Sequence, residues 1–79
     1  MKSKTSIIGV LKDLIEVDRH QNQVILNIEI NYLSKKQKKV IVRGTLGKAM
    51  AHCLKTGQML NIEGSSYGNS ILAEWIQLM

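Results

Sequence analysis

Four lysines fall within five residues: Lys35, Lys36, Lys38 and Lys39. Ammonium groups at this density suit a row of phosphates, because lysine reads charge rather than geometry. Each contact gains free energy by releasing condensed counterions. The competing reading is a solvated connection whose charges keep a strand edge from aggregating. Arg43 follows a short apolar run, where its guanidinium suits a phosphate or the face of a base. Its alternative is a cross-strand ion pair with Glu29. Arg19 and His20 sit in an expected turn and add positive charge there, or are simply exposed.

Aromatic residues suited to stacking are few: Tyr32, Tyr67 and Trp75, with no Phe. Tyr67 lies in an expected loop, Ser65 to Asn69, and is the best stacking candidate. Tyr32 ends an apolar strand face and reads as core. Trp75 alternates with Ile71, Ala73 and Gln77, while Leu72, Ile76 and Leu78 share the other face with Glu74. Either face is a possible inner one, so core, subunit interface and stacking stand as its readings. Ile25 and Ile41 are outward aliphatics on neighbouring strands, a strip for base contact or for a second subunit.

No reaction chemistry is visible. The six Asp and Glu residues show no spacing that argues for a paired acid and base, and no nucleophile elbow, P-loop or metal signature occurs. One cysteine, Cys53, with His20 and His52 far apart falls short of the roughly four ligands of a zinc site. The expectation is a non-enzymatic protein without cofactor or metal. A lone cysteine on an apolar helix face fits a reducing compartment.

The elements that must position these residues form one domain of 79 residues with formal net charge +5. The charge favours a polyanionic partner. No apolar run approaches the roughly 20 residues of a membrane span, and Ile7 to Leu11 is too short for a secretory segment. A cytoplasmic location and no membrane partner are therefore expected. The thin core also favours a homo-oligomer, a dimer first.

Residues 5–17 read as a long first strand, bent near Gly9 to serve both sides of a barrel. In 23–33 the period is two: Val24, Leu26, Ile28, Ile30 and Tyr32 against polar neighbours. Residues 34–39 read as a polar connection and 40–45 as a third strand. The period then becomes helical, with Leu46, Ala49, Met50, Cys53 and Leu54 on one stripe, Thr45 as N-cap and Gly57 as the C-terminal stop. Residues 58–63 are a fourth strand with Leu60 and Ile62 inward, and 70–78 a fifth. The fold class is all-β with one short helix, a five-stranded OB-fold barrel of order β-β-β-α-β-β. An SH3-like barrel is the competitor, but it normally lacks this helix. In the OB architecture the second and third strands carry the oligonucleotide face.

Four stretches resemble the single-stranded DNA-binding protein superfamily, most closely its short primosomal replication protein B-like branch. They are Ile8-Gly9-Val10-Leu11, Gly47-Lys48-Ala49, Leu54 to Gly64, and Ala73 to Leu78. The order and gaps are compatible over about residues 5–78. The chain departs from that pattern in a shorter helix, a last hairpin without lysine, and no acidic C-terminal tail. The resemblance implies binding of single-stranded DNA in replication or restart, or on a mobile element. It equally admits a replication-complex adaptor that binds protein, and a generic OB domain leaves RNA open. The residues placed at the nucleic acid are Lys35, Lys36, Lys38, Lys39, Arg43, Arg19, Tyr67 and Trp75.

Overall fold

Alternating apolar residues become the inner wall of a closed five-stranded barrel. The computed structural model describes residues 3–18, 23–31 and 36–79, and of residues 3, 16–18 and 31 the backbone alone. Arg19, His20, Tyr32 and Lys35 lie outside the described residues. The elements are β1 (Ser3–Asp18), β2 (Gln23–Asn31), β3 (Lys36–Val42), α1 (Gly44–Cys53), β4 (Met59–Tyr67) and β5 (Ser70–Leu78). Around the barrel the strands run β1-β2-β3-β5-β4. This is the expected β-β-β-α-β-β order, consistent with an OB-like fold.

Strand β1 closes the barrel by pairing twice. Its first half, Ser3 to Val10, lies antiparallel to β4, and Val10 to Asp18 lies antiparallel to β2. Gly9 sits next to the crossover. A Cβ there would stand 2.6 Å from the Glu29 carbonyl oxygen and 2.5 Å from Ile28 Cγ2. Glycine is thus required by close approach of β2, while the register slip falls after it, between Leu11 and Asp13. The last closure, β3 to β5, is the one parallel pairing and links Lys39, Ile41 and their neighbour Val40 to Ser70, Leu72 and Ile71.

The core follows the period of two. Val24, Leu26 and Ile28 from β2, Val40 and Val42 from β3, Leu60 and Ile62 from β4, and Ile71 from β5 are buried, with Leu11 from β1. Ile30 is half-buried. Leu26→Ala should lower stability by about 2–5 kcal/mol. The drop would be read as a lower urea midpoint with unchanged slope.

The helix departs from the expected stripe. Its buried side is Leu46, Gly47, Met50, Ala51 and Leu54, whereas Ala49 and Cys53 face outward. Small residues at 47 and 51 let the helix lie close to the barrel, so packing rotates the stripe by about one position. The N-cap is Arg43, not Thr45: Arg43 is extended, and its carbonyl accepts the first helical bond from Gly47 N–H at 3.2 Å. Thr45 is already inside the first turn, and no side chain caps the helix. The helix closes at Leu54, whose N–H donates to Met50 O at 3.0 Å. Gly57 comes later, in the turn into β4, and donates to Leu11 O at 2.8 Å.

Two connections are tighter than expected. Strand β3 starts at Lys36, so Lys36, Lys38 and Lys39 are strand residues rather than loop residues. Backbone pairing with β2, from Lys36 opposite Asn31 to Val42 opposite Val24, imposes this despite the polar sequence. Strand β4 continues through Gly64 to Tyr67, which pairs with Ser70. The hairpin is then only Gly68 and Asn69, and Tyr67 ends a strand instead of tipping a loop. Among the described residues, no helix is long and apolar enough to cross a membrane.

Candidate nucleic-acid interface

Strand alternation decides which cations share a face. Val40 and Val42 point into the barrel, so Lys39 and Ile41 point out. Arg43 extends the same outward series one step beyond β3, exposed and still extended. Lys38 lies opposite buried Ile28 and is half-buried on the inner column at the barrel rim. Lys36 is exposed at the start of the strand. The lysine cluster is therefore split: Lys39 lies on the outer wall, and Lys36 and Lys38 lie toward the rim. Long stems allow the rim ammonium groups to reach water while their methylenes stay against the barrel.

Beside this row runs an apolar band. Ile15 pairs with Ile25, Ile25 with Ile41, and Ile41 with Leu72, across β1, β2, β3 and β5. Ile15 is exposed, and the other three are half-buried. The expected strip of Ile25 and Ile41 is thus longer at both ends. Leu72 escaped the sequence reading because nothing local announces that β5 lies parallel to β3. Ile15 escaped because the slip after Leu11 shifts the alternation of β1.

At the β5 end the band opens into a crevice of about 230 Å³ lined by Ile41, Arg43, Tyr67 and Leu72. Arg43 and Tyr67, 24 positions apart in the sequence, are brought to one small site by the β3–β5 closure. Aliphatic floor, phenol ring and guanidinium together suit a flat aromatic ligand carrying negative charge. Glu29 does not neutralise Arg43. Its carboxylate lies 3.8 Å from Lys12 Nζ instead.

Trp75 lies elsewhere. It is 44% exposed, which removes the core reading. It lines a separate groove of about 380 Å³ with Lys4, Thr5, Ser6, Glu63, Gly64 and Glu74. The cause is a register slip between Glu63 and Gly64: Glu63 faces Trp75, Gly64 faces Ala73, and Glu74 is the extra residue. Glu74 and Trp75 then both point outward, and Ile76 returns to the core. The Glu74 carboxylate accepts from Lys4 Nζ at 3.2 Å and from Ser65 Oγ at 3.0 Å. Among the described residues, no group of three or more His, Cys, Asp and Glu side chains converges to hold a metal ion. No protein-family model matches this chain, and neither a curated protein nor a solved structure matches it.

Proposed function

We propose that this chain is a non-enzymatic single-stranded DNA-binding protein of the single-stranded DNA-binding superfamily, serving replication, restart or a mobile element in the cytoplasm. The observation that carries the reading is the crevice of Ile41, Arg43, Tyr67 and Leu72 at the end of the outward row Lys39, Ile41, Arg43. A strand laid along β3 keeps its phosphates near Lys39 and Arg43, with Lys36 and Lys38 at the rim. One base enters the crevice against Tyr67. The next bases lie over Ile41, Ile25 and Ile15, which offer apolar contact without hydrogen-bond readout. Such a surface binds with little sequence preference and strong salt dependence.

The test is anisotropy of a labelled oligo-dT titrated with the protein at about 50 and 200 mM salt, a range over which phosphate contacts weaken steeply. Tight binding at low salt that fades at high salt is expected. Absence of binding at low salt would sink the reading and leave the OB-fold protein-interaction module in its place. Competition with an oligo-U of equal length separates DNA from RNA. Tyr67→Ala should cost about 1–3 kcal/mol of affinity, the value of one stacked base. The salt slope should not change, because no charge is removed.

A further inference from the structure

The joints of the barrel are unequal. Among the described residues, β1–β2 and β2–β3 are each held by seven facing residue pairs, and β1–β4 and β4–β5 by eight, all antiparallel. Strands β3 and β5 share three: Lys39 with Ser70, Val40 with Ile71, and Ile41 with Leu72. These strands run parallel, the pairing that is slightly less stable per residue. Neither end of the seam can lengthen. Strand β5 begins only at Ser70, after the turn at Gly68, whose φ is 59°. Strand β3 ends at Val42, because the chain turns away into α1 at Gly44, whose φ is 65°. Toward the core the seam presents one facing pair, Val40 and Ile71, and both are fully buried.

The crevice straddles this seam. Ile41 and Arg43 come from the β3 side, Leu72 from β5, and Tyr67 from the end of β4 that pairs with β5. Ile41 and Leu72 are themselves the last seam pair. Parting the seam separates the two walls and dissolves the crevice. We propose that the seam is a gate: it opens locally while the rest of the barrel stays paired, and a base held in the crevice latches it shut. The latch rests on the nucleic-acid reading above, whereas the opening does not. A ligand favours one state only by binding it better, and the open state has no crevice to bind. Opening brings Val40 and Ile71 to water, which costs buried apolar area and keeps the seam mostly closed. Minor states of this kind are populated at roughly 0.1–10%. The element is therefore two-state, and its equilibrium is set by the shortest joint of the barrel.

Amide hydrogen exchange on the wild-type chain, followed residue by residue by NMR, tests both halves. Without ligand, amides bonded across the seam should exchange on the order of tenfold faster, or more, than those bonded across β1–β4 and β4–β5. With oligo-dT at about 100 times its dissociation constant, seam exchange should slow by about 100-fold, the factor expected when opening abolishes the site. A disulfide across the seam, made by Val40→Cys with Ile71→Cys in a Cys53→Ser chain, should bring seam exchange down to the rate of the neighbouring joints. Reduction should restore the fast rate. The wild-type comparison decides by itself if that chain folds poorly. Seam amides as slow in the free protein as those of β1–β4 would overturn the gate. Fast seam exchange that ignores bound oligo-dT would overturn the latch, because the site would then survive the opening. If oligo-dT does not bind at all, the latch falls with the nucleic-acid reading, and exchange of the free protein still decides the opening.

Discussion

Replacing Lys36, Lys38, Lys39 and Arg43 together with Ala is expected to cut oligo-dT affinity by roughly 600-fold at 0.1 M salt. Each phosphate contact to a single strand contributes a slope of about 0.7 in log affinity against log salt, and that contribution vanishes near 1 M. Four lost contacts lower the slope by about 2.8, which at 0.1 M is a factor of about 10^2.8. All four side chains leave from the exposed rim or outer wall, or in the case of Lys38 from a half-buried rim position, so the barrel keeps its core. The double variant Lys39→Ala with Arg43→Ala should account for half of the slope change or more. These two share the outward row with Ile41, whereas Lys36 and Lys38 stand on the other side of β3. Anisotropy over a salt series reads both quantities. An unchanged slope in the fourfold variant would move the site off β3 altogether.

Gly64→Ala is expected to be the most damaging single methyl group in the chain. A Cβ at this position falls onto the Leu72 carbonyl oxygen, with the Leu72 carbonyl carbon at 2.8 Å and Ala73 Cα at 2.9 Å. All three are backbone atoms of β5, so no side-chain rotation relieves the contact. The strands must separate where β5 also holds β3. Overpacking a core typically costs about 1–3 kcal/mol, and a clash with backbone lies at or beyond that upper end. A domain of this size has only about 4–12 kcal/mol to lose. The urea midpoint should fall sharply, and the Trp75 environment should change with it, since Trp75 lies just past the slip. A wild-type midpoint would mean that β4 and β5 do not approach this closely at Gly64.

The barrel was largely legible because its signal is local. Val24, Leu26 and Ile28 alternate with Ile25, Asn27 and Glu29, and only a strand with one buried face makes use of that pattern. The change to helical spacing after Gly44 marks the one helix, although its packed side, through Gly47 and Ala51, was set by contact with the barrel. The site was only partly legible. Types and charges of Lys36, Lys38, Lys39 and Arg43 are sequence facts, but their division between rim and outer wall depends on where β3 begins. A run of lysines reads as loop until β2 pairs with it.

The chain's residues by themselves determined the order of elements along the chain, most of the inner wall and the basic character, because each follows from side-chain type and its local period. Tertiary structure decided which distant residues meet. The parallel closure of β3 on β5 joins Arg43 and Ile41 to Tyr67 and Leu72, a pairing set by barrel geometry rather than by any local pattern. The slip at Gly64 decided the fate of Trp75. One extra residue in the register, Glu74, inverts the alternation of β5, and a period of two cannot reveal where it will be broken.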